Sequence, residues 1–593
     1  MRWLIIMAAV LLCVQTAGQS GDADENIMRF MGAESLEDID EENAERLAVY
    51  INHPLRLNQA SMSRIVSSGL LSRYQAVSLA DYRSRHGDVL SLVELSMIDG
   101  FGICFVERLA PFISLDSGYR PGQNNAGHHP VRTEITTRAG MKYNDGVKGT
   151  GAVKVRMESG RRLNLSLAMS SPYGRFEADR LLYTASAELS FVKVPVRVLA
   201  GDFNARFGQG LILRNGMSLS TLASPSAFMK NPTGISLTSS YTGTAAFTGT
   251  GCEASFRNVV LTGFLAFPGI RQLKNFKDDF RIMPALNVSW FCRHGQIAVT
   301  HYAVSSLPGQ SDPEESGMWT AVDTRWCFNG CDLFAEAAYD WKTCSPAALA
   351  GTLFPLGGNG RIAVMARWYP PLFHPFAAGA YGSGTTTNNE YGVTLSSEIG
   401  STATAHRLVL TADAAHFPLP KKDDRGGSAQ IKGLLVWEYK PFSVLTVKTR
   451  ITERFRTWGM PFRTDIRTDV MYESGIFSAA LRLNVLKCAG WGLLSYVEAG
   501  SRRKKCSVFL RQGFFRIDDW QDRIYVYERD APGSFNVPAC YGRGLWTAVT
   551  CSARFSIWGK LYLRAAYTSY VFMRHEIKKP GRAELKMHFV CSF

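Results

Sequence analysis

GAVKVRMESGRRLNLSLAMSS, residues 151–171, alternates with a period of two. Val153, Val155 and Met157 share one face, and Lys154, Arg156 and Glu158 the other. After Ser159-Gly160, Leu163, Leu165, Leu167 and Met169 alternate with Asn164, Ser166, Ala168 and Ser170. Successive side chains of a β-strand point to opposite sides, so the stretch reads as two strands, apolar on one face and polar on the other.

The same pattern runs on to the C-terminus. Leu445, Val447, Thr449 and Ile451 alternate with Thr446, Lys448 and Arg450, and Leu481, Leu483 and Val485 flank Arg482 and Asn484. Val549, Cys551, Ala553 and Phe555 face away from Thr550, Ser552 and Arg554. The final strand, AELKMHFVCSF (583–593), puts Leu585, Met587, Phe589, Cys591 and Phe593 on one face and Glu584, Lys586, His588 and Ser592 on the other. A soluble sandwich would hide such an apolar face against a second layer, whereas a membrane barrel turns it to lipid. The unbroken pattern from Val131, the terminal Phe593, and aromatics at strand ends (Trp437, Tyr439, Tyr567, Tyr570) favour the barrel. At about 9–11 residues per strand, the expected fold is mainly β, a large antiparallel transmembrane barrel of roughly 20–24 strands.

Bulk properties agree with this reading. Mean hydropathy is −0.06, a value open to a barrel because polar lumen residues dilute apolar lipid-facing ones. After the N-terminal apolar run no segment offers about 18 consecutive apolar residues, so a spanning helix is not expected. Residues 1–18 read as a signal peptide: Arg2, an apolar run from Trp3 to Val14, then small residues at Ala17-Gly18. Eleven of the twelve cysteines follow it, without metal-ligand spacing, and read as free thiols. Cys327 and Cys331 bracket the turn signal Asn329-Gly330; if Phe328 pairs with Cys331, Cys327 points to the opposite face.

Charge is split along the chain. Net charge is +15, yet residues 1–115 hold nine Arg, no Lys and fifteen Asp or Glu. Ten of those acids lie between Asp22 and Glu45, in an arm (19–45) expected to form a loose helix or to be partly disordered. Lys154, Arg156, Lys448, Arg450, Arg482 and Arg554 fall on the polar strand face, the lumen of a barrel. A positive lumen would favour anionic solutes or a docked acidic segment, and the chain's own arm is a candidate for docking there.

Residues 46–116 switch to helical spacing. Asn58 to Ser61 is expected to cap a helix through Met62 and Ile65, and Gly69 interrupts it. Gly87 ends the next helix, Ser91-Leu-Val-Glu94 reads as a capping box, and Gly100-Phe101-Gly102 makes a second tight turn. Such glycine turns between helices can present backbone N–H groups to a phosphate. That makes Gly69, Gly100, Phe101 and Gly102 candidate contacts to DNA or to a protein partner. The first turn reads Gly69-Leu70-Leu71, without its second glycine, and six Arg stand against five acids over 50–115. DNA affinity draws mainly on net positive charge, so docking to an envelope protein is the expected role. Residues 117–130 read as a linker, and 131–593 as the barrel.

Pro54-Leu55-Arg56-Leu57-Asn58, Tyr82-Arg83, Gly87, Ser91-Leu92-Val93-Glu94-Leu95 and Gly100-Phe101 resemble the competence-type helix-hairpin-helix domain. Gly201 to Leu211, Tyr525-Val526-Tyr527-Glu528, Phe535, Pro538 and Tyr541-Gly542-Arg543-Gly544 extend the likeness to the helix-hairpin-helix-domain outer-membrane β-barrel proteins of Bacteroidota. This resemblance implies a small all-α double helix-hairpin-helix domain in the periplasm, followed by an outer-membrane barrel. The expected function is a channel, scaffold or secretion and assembly component. An envelope DNA-binding or DNA-uptake protein and an outer-membrane enzyme are the alternatives. No G-x-S-x-G and no phosphate-binding loop occurs, so neither catalysis nor a cofactor is expected.

Overall fold

A computed structural model describes residues 23–116 and 131–593, apart from short interruptions; those of five residues or more are 175–180, 216–221, 269–280, 307–315 and 573–580. The signal-peptide and linker readings lie outside the described residues.

The alternating segments form strands, and the strands close on themselves. The wall runs antiparallel from Val131–Tyr143 to Arg582–Ser592, and these two pair with each other, Ala583 opposite Tyr143 and Ser592 opposite Glu134. Closure leaves no unpaired edge, which is what a sheet needs in a medium without water. The short strand Gly234–Leu237 adds only to the inner end of Val196–Arg206, which pairs directly with Phe247–Phe256. The ring therefore has 24 members, an even number as single-chain bacterial barrels require.

The faces follow the pattern. Val153, Leu167, Met169, Leu481, Leu483, Leu585, Met587 and Phe593 are exposed on the outside, while Lys154, Glu584 and His588 are buried on the inside. Trp437 and Tyr567 stand outward at strand ends. Tyr570 is a correction: three residues beyond the outward Tyr567 it falls on the lumen phase with Arg564, and it packs on Phe515 with ring centroids 5.9 Å apart. Phe328 does pair with Cys331, placing Cys327 opposite Asp332, and every described cysteine that can be placed is free.

Connections differ at the two ends. At the end carrying Val131 and Phe593, they are short, such as 443–444 and 400–405. At the other end the longest are 207–246, 370–389 and 518–541, and all three fold into the lumen. Phe207, Leu211, Phe228, Phe373 and Tyr381 from the first two bury themselves against Tyr302, Trp319, Phe334 and Met365 of the wall. Glycine conformation permits this course: Gly208 and Gly210 both have positive φ. Their turn aims the N–H groups of Gln209 (2.6 Å) and Leu211 (3.2 Å) at one oxygen of Glu336. The Gly201–Leu211 stretch is thus a strand leading into an infolded turn.

The described N-terminal residues form six helices: α1 (Ala23–Met31), α2 (Glu41–Asn52), α3 (Met62–Ser67), α4 (Arg73–His86), α5 (Leu92–Met97) and α6 (Ile103–Leu109). They share one core that includes Ile27, Ile39, Leu47, Leu71, Leu95, Phe101 and Phe112. Helix α2 runs through the expected boundary at residue 45, because Ile27 and Ile39 of the acidic arm are part of this core. Asn58 is not a helix cap; its amide donates to the carbonyls of Val89 (2.9 Å) and Leu115 (2.8 Å) and ties the two ends of the segment together. Ser91 caps α5, accepting from Glu94 N at 3.1 Å. The Glu94 carboxylate goes to Leu90 N and Tyr82 OH instead of completing the box.

A closed barrel of this size resists dodecyl sulfate until heated. We expect unheated protein to migrate faster on gels than boiled protein and to fractionate with outer membranes; a soluble β-protein would do neither.

Candidate functional site

The helical segment does not stand outside the barrel. It lies within the wall, held by charged side chains at four places around the lumen. In α3, the Arg64 guanidinium donates to Glu158 (2.6 Å) and Asn164 (3.2 Å). At the start of α4, Arg73 is buried; it bonds Glu253, Thr262 (2.8 Å) and Asn287 (3.0 Å). Ser72 next to it caps α4 in a capping box with Gln75. Glu253 is shared, since Arg197 reaches its other oxygen at 3.2 Å.

The acidic arm supplies the other two. Glu34 is buried and accepts from Arg407 (2.8 Å) and from the Lys448 ammonium (3.1 Å), which also bonds the Glu34 carbonyl (3.0 Å). Glu37 accepts from Arg482 (2.9 Å), Arg467 (3.3 Å) and the Tyr527 N–H (3.0 Å). Tyr527 belongs to the infolded connection 518–541, so Glu37 joins the helical segment, the wall and that loop at one carboxylate. Burial alone would push both carboxyls up. The paired cations outweigh it, Lys448 and Arg407 at Glu34 and Arg467 and Arg482 at Glu37, and hold both well below their ordinary 4.5.

Between the helices and the wall lies a cavity of about 1170 Å³. It is lined by fourteen Arg or Lys and ten Asp or Glu, including Glu34, Glu37 and their cations, and reaches the turns at Gly330, Gly400 and Ser443-Val444 of the short-turn end.

The six lumen-face cations inferred from sequence separate on this map. Lys448 and Arg482 hold the acidic arm. Lys154 is buried with its ammonium 3.9 Å from the Tyr241 ring centroid. Arg156 lies 3.8 Å from Glu134. Arg450 is half-buried opposite Arg467, and Arg554 is exposed at the rim opposite Lys560. Arg407 and Arg467, which complete the two anchors, were not singled out from sequence. They sit on the polar phase of their strands, but so do many others.

The glycine turns are also placed. Gly69 (φ +70°) joins α3 to α4, and a Cβ there would run into the Arg46 guanidinium. Its neighbours Leu70 and Leu71 are buried, so this turn is closed against the wall side. Gly100 (φ +85°) lies against Tyr74, and its carbonyl accepts from Gln75 at 2.7 Å. Phe101 is in the helical core and is not a surface contact. Gly102 alone is open, with nothing near a built Cβ. Among the described residues no group of three or more His, Cys, Asp or Glu is placed to hold a metal.

A closed antiparallel wall with an apolar exterior and a charged interior defines a β-barrel protein of the outer membrane. The chain matches no family model and no curated protein sequence. Among solved structures it is similar to "Copper transporter OprC" (TM-score 0.40, 9% identity, 77% of this chain and 80% of that one). Others are the siderophore receptor PirA from Pseudomonas aeruginosa (0.39, 8%, 78% and 80%) and the P pilus usher PapC translocation pore (0.38, 8%, 78% and 99%). At these values the likeness carries no argument about this chain, and the class rests on its own wall.

Two predictions follow from the buried pairs. Glu253→Gln leaves Arg73 and Arg197 without their shared carboxylate, and removing one side of a buried pair costs about 3–5 kcal/mol. Thermal unfolding in detergent should therefore begin markedly lower, and adding Arg73→Met should recover part of the loss; additive losses would show that the pair is not coupled. Because the carboxyls of Glu34 and Glu37 are held low, the docked segment binds fewer protons than a released one. Their contribution is complete above pH 4.5 and disappears as pH falls below it. Protease cleavage within residues 23–60 should rise on acidification below that point and stay flat between pH 6 and 8.

Proposed function

We propose that this protein is an outer-membrane channel closed by its own N-terminal segment. The observation that carries the reading is the pair of acidic anchors, Glu34 on Arg407 and Lys448, and Glu37 on Arg467 and Arg482. Each is a carboxylate from the helical segment set between cations of the wall. Such contacts are strong enough to hold a plug, yet exchangeable, because every partner can be resolvated by water when the segment leaves. Short turns face the periplasm in barrels of this class, so the helices enter from the periplasmic side and the long connections close the outer side.

The paired helix–turn–helix units, with positive-φ glycines at Gly69, Gly100 and Gly102, are read as a helix-hairpin-helix module adapted to fill a lumen. Once the plug leaves, Arg407, Lys448, Arg467 and Arg482 lose Glu34 and Glu37, and these four cations then face the three wall acids Glu398, Glu438 and Asp469. The opened path then becomes cationic and favours anionic solutes.

Conductance tests this. Full-length protein in planar bilayers should be nearly silent at pH 7, and Glu34→Gln/Glu37→Gln should raise open probability at least about tenfold, a loss of about 1.4 kcal/mol of docking or more. The open state should select anions over cations. Unchanged conductance in a variant that keeps its heat-dependent gel migration would rule the reading out.

A further inference from the structure

The tip of the helical segment carries an apolar surface that its own core does not use. Leu90, Val93, Met97 and Ile103 are 77%, 68%, 81% and 61% exposed. The opposite side of the same helices buries Leu95, Ile98, Val106 and Leu109. Val93 and Met97 stand four apart on α5 and therefore share a face. Ile103 opens α6 immediately beyond the Gly100–Gly102 turn. Together they form a ridge at the short-turn end, where Met97 and Ile103 border the cavity alongside Gly330, Gly400 and Ser443 of the wall turns. An apolar ridge projecting into an aqueous compartment marks an interaction surface.

Charge around the ridge selects its occupant. Asp99 and Glu107 are exposed and Asp88 half-exposed, and among the described residues none of the three forms an ion pair. Two cations on the flanking helices are already engaged. Arg85 pairs with Asp81 at 2.9 Å, and Arg108 packs over the Phe105 ring, 6.0 Å from its centroid. An approaching surface meets apolar side chains flanked by unpaired carboxylates. A nucleic-acid backbone is repelled by that field. Helix α6 has only seven residues, too short to supply an N-terminal anion site.

We infer that the α5–α6 tip is the docking surface for a soluble partner that presents a basic amphipathic segment, its apolar stripe on Val93, Met97 and Ile103 and its Lys or Arg flanks on Asp88, Asp99 and Glu107. The inference rests on the proposed orientation, which turns this tip to the periplasm, and it names the kind of protein that could draw the plug. The tip is continuous with the helices carrying Arg64 and Arg73, so a partner bound there has a mechanical handle on the anchors without entering the lumen.

The test uses full-length protein in phosphatidylcholine nanodiscs, whose zwitterionic lipid does not itself retain a basic peptide. Fluorescence anisotropy would compare a labelled Leu/Lys amphipathic peptide, its Leu/Glu counterpart with the same apolar stripe, and a labelled DNA duplex. The Lys peptide should bind at least about tenfold more tightly than the Glu peptide. Val93→Ser/Met97→Ser should weaken it by a similar factor. Asp99→Lys/Glu107→Lys should reverse the preference between the two peptides. All four positions are exposed, and heat-dependent gel migration checks that each variant keeps its barrel. Equal binding of the two peptides, tighter binding of the duplex, or variants that bind as the parent does would each overturn the proposal. None of these readings involves conductance. Failure of the plug reading, seen as an unchanged Glu34→Gln/Glu37→Gln channel, is thus distinguishable from failure of the docking surface.

Discussion

Closure of the hydrogen-bond ladder between Arg582–Ser592 and Val131–Tyr143 is the constraint on which everything else depends. In hydrocarbon an unpaired strand edge costs several kcal/mol per exposed peptide group, so a sheet of this kind must end where it began. Closing a ring of 24 strands produces a lumen far too wide to be filled by wall side chains alone, as an eight-stranded barrel can be. The chain meets this with infolded connections from one end and helices from the other. The two fillings touch inside: Ser224 of the connection 207–246 donates to the Gly32 carbonyl beyond α1 at 3.1 Å, and Gly234 packs against Arg73.

The interior is then a problem of charge rather than of apolar packing. Period-two strands that face lipid with one side must place their polar side chains in the lumen. The result is a wall rich in Arg and Glu, with few of them in water. Networks such as Arg367 with Glu390 (2.5 Å) and Asp413 (2.8 Å), all fully buried, show how the wall settles this within itself. At Arg407, Lys448, Arg467 and Arg482 the wall acids Glu398, Glu438 and Asp469 settle it in part. Two further acids, Glu34 and Glu37, come from the other end of the sequence, about 370–445 residues away along the chain. The opposite net charges of the first 115 residues and the remainder thus have a structural meaning: one part is the counter-charge of the other.

Much of this was legible in the sequence. Strand faces, the strand-number range, the Phe328–Cys331 pairing and the helical turns at Gly69, Gly87 and Gly100 follow from local rules, because each depends on neighbours one to four residues apart. Inward placement of Lys448 and Arg482 follows from the same alternation. Other features were not legible. Asn58 looked like a cap because Asn is a good one, yet its amide satisfies two carbonyls at the far ends of the segment. Phe101 looked like an exposed hairpin residue, and becomes core because α1 and α2 cover it. Tyr570 looked like an interfacial aromatic, although the alternation that turns Tyr567 outward turns Tyr570 inward.

The sequence by itself determined which side of every strand meets lipid, since a two-residue period leaves no other choice once one face is apolar. It also determined that acids gather in the first segment and cations in the rest. Only the tertiary structure decided which cation each acid meets, and that the helices enter the lumen instead of resting at its mouth. The physical reason is that charge attraction has no period. Alternation assigns Arg407, Arg450, Arg467 and Arg482 equally to the lumen, but only three of them come within reach of Glu34 or Glu37 once the wall has closed and the helices have packed.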